Sequence, residues 1–352
     1  GISGIDEVIY GSEVFADKSL WKRQAPIIKK NVPMWGKDIA KISAVHVVAK
    51  SEQSEMNKHL SIPLEKMTVI PHGINHGLFK PPLNKEKTRE EILSKFKLPI
   101  SKYFVHVGEH NWVRKNYLRL FDAYAEAQKL GLKHQLIFVG KYAHHIKKKG
   151  ERIPGIKFLG WVSDHHLVNL LQGADAFLLP SIHEGFGMPL VEAMACGVPS
   201  ITTNKHAPPE VVGDAGILVN PLDTSEITTK MLQVATDDAL LNKLSQNSLK
   251  RAKMFSWEKN AKQILELYEN IDSKPTVNFE KNHEIAAYRT LTTVCEIFPD
   301  KKQFLIESLL RFNYTKMIDW ALEHGLEDPK TKDFLKPFEG WFNEQQKTVL
   351  VD

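Results

Sequence analysis

Between residues 103 and 219 the chain alternates short β-branched or aromatic runs with amphipathic stretches that often close on glycine, without any internal sequence repeat. No other feature limits the possible folds so strongly. The runs are YFVHV (103–107), QLIFV (135–139), IKFL (156–159), AFLLP (176–180), VPSI (198–201) and ILV (217–219). Between the first two, NYLRLFDAYAEAQKLG places Tyr117, Leu120, Phe121, Tyr124 and Gln128 at helical spacing, with Gly131 as the stop. DHHLVNLLQG and PLVEAMACG fill later gaps in the same way, stopped by Gly173 and Gly197. Strands alternating with helices in this way predict an α/β fold with a doubly wound parallel sheet.

The flanks differ from this centre. Residues 1–75 carry two short candidate strands (VHVVA and MTVI) and a Trp/Lys-rich segment, SLWKRQAPIIKKNVPMW. Pro81-Pro82 and the charged KEKTREE read as a linker into the sheet domain. After SWEKNAKQILELYENI the alternation stops, and residues 280–345 are helical in pattern. Three parts are therefore expected: a partial N-terminal segment with its hinge (1–84), a ligand-binding Rossmann-like domain (85–270) and a helical extension (271–352).

Composition excludes several classes. With 42% hydrophobic and 25% charged residues the chain is globular, neither disordered nor collagen-like. No apolar run reaches the roughly 18–20 residues that span a bilayer. The opening GISGIDEVIYGSE shows no secretory pattern, and Cys196 and Cys295 stand alone in distant segments, so a cytoplasmic location is expected. Lys and Arg exceed Asp and Glu by five (47 − 42), which suits anionic small molecules but is too little to imply nucleic acid. The basic run HHIKKKGER (144–152) reads as a solvated face, with peripheral contact to anionic lipid as the alternative. His144-His145 and His165-His166 read as surface or capping residues, because adjacent side chains point apart and no zinc spacing is present. Asn313-Tyr314-Thr315 matches a glycosylation acceptor, irrelevant in a cytosolic chain.

SIHEGFGMPLVEAMACGVPSI (181–201) carries the chemistry. A strand ends at Pro180, Gly185 and Gly187 flank Phe186, and Pro189 sits where a first helical turn tolerates it. Glycines admit a ligand close to the backbone, and the amides of a helix start attract anions. Glu184 and Glu192 lie on either side of that turn. Amides for a phosphate, one carboxylate for a ribose diol and one for sugar hydroxyls suit a nucleotide sugar.

This segment resembles the Glu-x7-Glu donor signature of family 4 glycosyltransferases, retaining enzymes of the GT-B fold with two facing Rossmann-like domains. VIPHGIN (69–75) is similar to that family's interdomain hinge, and FVHVGEHNWVRKN (104–116) to its first donor-domain strand and basic loop. IKFLGWVSDHHLVNLL is similar to the base-pocket strand and APPEVVGDAGILVNP to the closing loop; the likeness covers roughly 45–270.

The resemblance implies that Glu192 holds the ribose and that Glu184 touches and orients the donor sugar. It implies that the backbone of Gly185, Phe186, Gly187 and Met188 meets sugar hydroxyls and phosphate. Arg114 and Lys115 would neutralise the leaving diphosphate, beside Gly108, and the base would be read by the backbone around Gly160, Trp161 and Val162. At Glu109 the sequence departs from the pattern: many members carry Arg directly after the glycine that Gly108 matches, whereas some branches rely on an Arg-Lys pair placed like this one. No Asp-x-Asp occurs, so neither a diphosphate-bridging metal nor any other metal or cofactor is expected.

The expected function is metal-independent, retaining transfer of a hexose from a nucleotide-diphosphate sugar, with GDP-mannose and UDP-sugars both open. The acceptor is a glycan, a lipid-linked sugar or a small molecule. A Rossmann-like acceptor domain needs on the order of 100–150 residues, and residues 1–75 resemble at most the tail of one. Three readings follow: the chain is a fragment, a partner supplies the other half, or the acceptor side is rebuilt; the rival function is a non-catalytic nucleotide-sugar-binding module. A Rossmann oxidoreductase is disfavoured, since GEHNWVRKN lacks the Gly-x-Gly-x-x-Gly of dinucleotide sites.

Overall fold

The computed structural model describes residues 43–108 and 113–270. Apart from Ser43 they lie within one compact unit of the chain. The Trp/Lys-rich segment, Glu109, Cys295, Asn313 and the helical extension fall outside the described residues.

Two parallel sheets are present. The small one pairs β1 (Val45–Val47) with β2 (Met67–Val69), with helix α1 (Lys50–Leu60) between them. Residues 70–84 then lead to helix α2 (Lys85–Lys95) and the large sheet. That sheet comprises β3 (Tyr103–Val107), β4 (Gln135–Val139), β5 (Ile156–Gly160), β6 (Ala176–Leu179), β7 (Ser200–Thr203) and β8 (Gly216–Val219). Their spatial order is β5-β4-β3-β6-β7-β8, every pair parallel. The crossovers are α3 (Tyr117–Lys129), α4 (His144–Gly150), α5 (Asp164–Gly173), α6 (Met188–Ala195) and α7 (Pro208–Val212). Helices α8 (Thr224–Thr236), α9 (Asp238–Ala252) and α10 (Trp257–Glu269) follow β8.

The central strands β3, β4 and β6 are largely apolar on both faces because helices cover both faces. Tyr103, Val105, Ile137, Phe177 and Leu179 enter one core; Phe104, Leu136, Phe138, Ala176 and Leu178 enter the other. In the second core Phe138 stacks on Phe158 (4.9 Å between centroids) and takes the edge of Phe121. The periodicity read in α3 is realised: Tyr117, Leu120, Phe121 and Tyr124 are buried, and Gln128 donates to the Pro154 carbonyl. The last turn stops before Gly131, at φ +101°.

Two expectations are corrected. KEKTREE is no linker but the start of α2, because the Asn84 side chain caps the Lys87 amide and Arg89 is drawn inward to the buried Asp175, at 2.6 Å. The strand expected over 198–201 is displaced to Ser200–Thr203, since Gly197 (φ +75°) and Pro199 belong to the turn out of α6. His144 and His145 are exposed as expected, and His166 is half-buried edge-on to Phe96. No helix among the described residues is long and apolar enough to cross a membrane.

The candidate donor site at the sheet's switch point

Strand order reverses between β3 and β6, so the loops leaving their C-terminal ends run in opposite directions and leave a crevice between them, where parallel α/β sheets bind ligands. Gly108, Arg114 and Lys115 follow β3; Glu184, Gly185, Phe186, Gly187 and Met188 follow β6. The fold thus brings eight of the eleven expected site residues to one place.

The two loops are bonded to each other. The Ile182 amide donates to the Arg114 carbonyl at 2.7 Å. Asn116, in the left-handed region at φ +61°, spends its side-chain amide on the Pro180 and Pro221 carbonyls. Under Gly108 the space is closed: a Cβ there would meet the Tyr117 hydroxyl at 2.9 Å and His106 Nε2 at 3.0 Å. His106 is fully buried, and burial first, with the Lys115 charge adding, pushes its pKa down to about 3. It is therefore neutral, and its Nδ1–H donates to the Leu178 carbonyl at 2.6 Å.

Glu184 sits inside rather than on the rim. Its carboxylate is 6% exposed and accepts from Lys115 Nζ (2.7 Å), Ser181 Oγ (2.7 Å) and Arg114 Nη1 (3.3 Å). Burial alone would raise its pKa, but the Lys115 and Arg114 charges and the hydrogen bonds from Lys115 and Ser181 outweigh it and hold the group below the usual range. The side chain expected at the donor sugar is in this structure the counter-ion of the two cations. One carboxylate between two cations leaves a local charge of +1, and Arg114 Nε is buried with no acceptor among the described residues. This pocket has donors to spare for an anion.

Gly187 caps the start of helix α6, and its φ of +89° and ψ of +55° suit glycine. Pro189 follows in the first turn, where its missing amide costs nothing. Among the described residues a Cβ on Gly185 would meet no atom within 4 Å, so the backbone there is open on that side. The Phe186 ring is seated between His72 of the stretch after β2 (5.1 Å) and Phe255 (5.7 Å), both edge-on. That apolar anchor fixes the loop from behind while its main chain faces the crevice. Met188 is half-buried against the first core.

Glu192 lies one turn further along α6, half-buried, and its carboxylate makes no hydrogen bond or ion pair among the described residues. Burial, with the Asp164 charge adding, pushes its pKa up to about 7. Trp161 and Val162 follow β5, two strands from the crevice. A β-bulge between Phe138 and Val139 and the positive φ of Gly160 (+70°) turn the chain there; Trp161 is 68% exposed and Val162 packs on the core.

One cluster escaped the sequence reading altogether. Glu55 of α1 meets His183, beside Glu184, and His206, in the loop before α7. Nothing in local spacing signals it, since 128 and 151 positions separate the partners. Burial raises the Glu55 pKa, but hydrogen bonds to His183 and His206 outweigh it and hold the carboxyl far below its usual range. Glu210 of α7 makes a second tie by accepting from the Lys50 and Ser51 amides at the start of α1.

Residues 101–237 match the family model described as glycosyl transferases group 1. O-antigen chain mannosyltransferase B of Escherichia coli is 35% identical over 184 residues, covering 50% of this chain and 48% of that protein. The MMP alpha-(1->4)-mannosyltransferase of Mycolicibacterium hassiacum is 27% identical over 267 residues, 73% of this chain and 62% of the relative. This chain thus spans about half to two thirds of the length of these relatives. The Anabaena protein Alr3699/HepE, solved with UDP and glucose, superposes with a TM-score of 0.59 at 20% identity, covering 74% of this chain and 69% of its own. The architecture is a GT-B-like glycosyltransferase fold.

Proposed function

We propose that the chain binds a nucleotide-diphosphate sugar in the β3/β6 crevice and transfers the sugar, with retention of configuration, to an acceptor hydroxyl. The observation that carries this reading is the pairing of a glycine-opened helix start with two cations that a single carboxylate only partly neutralises. The diphosphate lies between the amides at Gly187–Met188 and the Arg114 and Lys115 side chains. As the glycosidic bond breaks, its electron pair passes to the phosphate oxygen, and preorganised donors in a water-poor cleft stabilise that growing charge by several kcal/mol. Glu184 acts by positioning both cations, and Glu192 accepts from the ribose diol. The architecture is consistent with transfer that needs no bridging metal.

Residues 85–270 form the donor domain in this reading, and 43–84 belong to the acceptor side and hinge. The E. coli relative's activity favours a mannosyl donor, GDP-mannose. Calorimetric titration with GDP-mannose, UDP-glucose and UDP-galactose, followed by a transfer and hydrolysis assay, tests the proposal. GDP-mannose should bind in the wild type and at least tenfold more weakly in Glu192→Ala, while Lys115→Met should slow release of mannose more than it weakens binding. Binding without any release of sugar would leave the non-catalytic module as the better account, and no binding of any donor would remove both.

A further inference from the structure

We propose that Glu55, His183 and His206 form a site for one divalent transition-metal ion of the zinc class, clipping helix α1 to the loops of the large sheet. Glu55 Oε2 lies 3.3 Å from His183 Nε2, and Glu55 Oε1 lies 2.5 Å from His206 Nδ1. One ligand atom from each of the three residues falls within 4.8 Å of the others, and the two imidazole rings stand 4.2 Å apart at 60°. Two imidazoles and a carboxylate are a borderline nitrogen and oxygen donor set, which zinc accepts readily. Tetrahedral bonds of about 2.0–2.1 Å place ligand atoms about 3.3 Å apart. The His183 pair already has that spacing, and the His206 pair reaches it by opening less than about 1 Å.

The three legs are fixed independently of any ion. The side chains are only 15%, 6% and 11% exposed for Glu55, His183 and His206. Arg114 donates to the His183 carbonyl, and α1 is held at its start by Glu210. His206 keeps a φ of +60°, in the left-handed region that non-glycine residues rarely occupy. Such a conformation persists where surroundings over-determine it, as at ligand sites. With three protein ligands, water completes the tetrahedron. The ion holds chain segments together and takes no part in sugar transfer, so the inference stands apart from the proposed reaction.

The test is equilibrium dialysis of tag-free, chelator-stripped full chain against Zn2+ alone, with metal counted by mass spectrometry. About one equivalent should bind, and Glu55→Gln and His206→Gln should each weaken it about 100-fold, at the upper end of what even outer-shell changes cost. Circular dichroism shows whether the variants fold, and zinc X-ray absorption of the wild type, which needs no variant, should report two imidazoles. Less than half an equivalent, undiminished binding in folded His206→Gln, or fewer than two imidazoles would each overturn the site and leave a hydrogen-bonded clamp.

Discussion

Glu184 and Glu192 belong to one motif and are electrostatic opposites. Glu184 is paired and stays ionised; Glu192 is half-buried without a donor and titrates near neutrality. A ribose diol donating to Glu192 stabilises its ionised form and so lowers its pKa on binding. Nucleotide affinity should therefore be full above pH 7 and weaken as pH falls through 7, by up to about tenfold per unit. In Glu192→Gln that slope should vanish; isothermal titration at several pH values checks it, and an unchanged slope refutes the role given to this carboxyl. Stability runs the other way. The folded pKa lies above the ordinary 4.5, so the folded chain holds the extra proton between those values and loses stability as pH climbs from 4.5 to about 7. Glu192→Gln should accordingly melt above the wild type at pH 8 and lose that advantage near pH 4.5.

The start of α6 rests on two glycines that do different work. A methyl at Gly187 would need a left-handed alanine and would stand 2.8 Å from the Leu190 side chain, whereas one at Gly185 would enter empty space. Gly187→Ala should lower stability by about 1–2 kcal/mol in urea unfolding. Gly185→Ala should leave stability within about 0.5 kcal/mol yet weaken nucleotide binding, because its methyl occupies the crevice. Equal effects of the two on both readouts would count against the cradle. The strands of the large sheet and the α6 segment were legible in the sequence, because doubly buried strands and a glycine-flanked helix start leave local signatures. Helix α2 was not, since six of its first seven residues are charged and what holds Arg89 inward is Asp175, 86 positions away. The inward turn of Glu184 was equally hidden: spacing revealed the acids and cations but not that they pair with each other.

Across the molecule, the stretch joining the two sheets is splinted by the entry to α10. Ile74 bridges to Ser256, Asn260 donates to the Pro71 carbonyl at 2.8 Å, and His76 is bonded to the Phe255 carbonyl. Gly73 permits this contact, because a Cβ there would lie 2.1 Å from the Trp257 nitrogen, a main-chain atom with nowhere to go. Gly73→Ala should cost about 3 kcal/mol or more and open the 70–76 stretch to limited proteolysis; a variant as stable and resistant as the wild type would refute the splint. The Glu55 cluster lies at the same scale, and it was illegible for the same reason: only folding brings its members together. A connector tied at Pro71, Ile74 and His76 gives the small sheet far less slack than a free tether of the same length would.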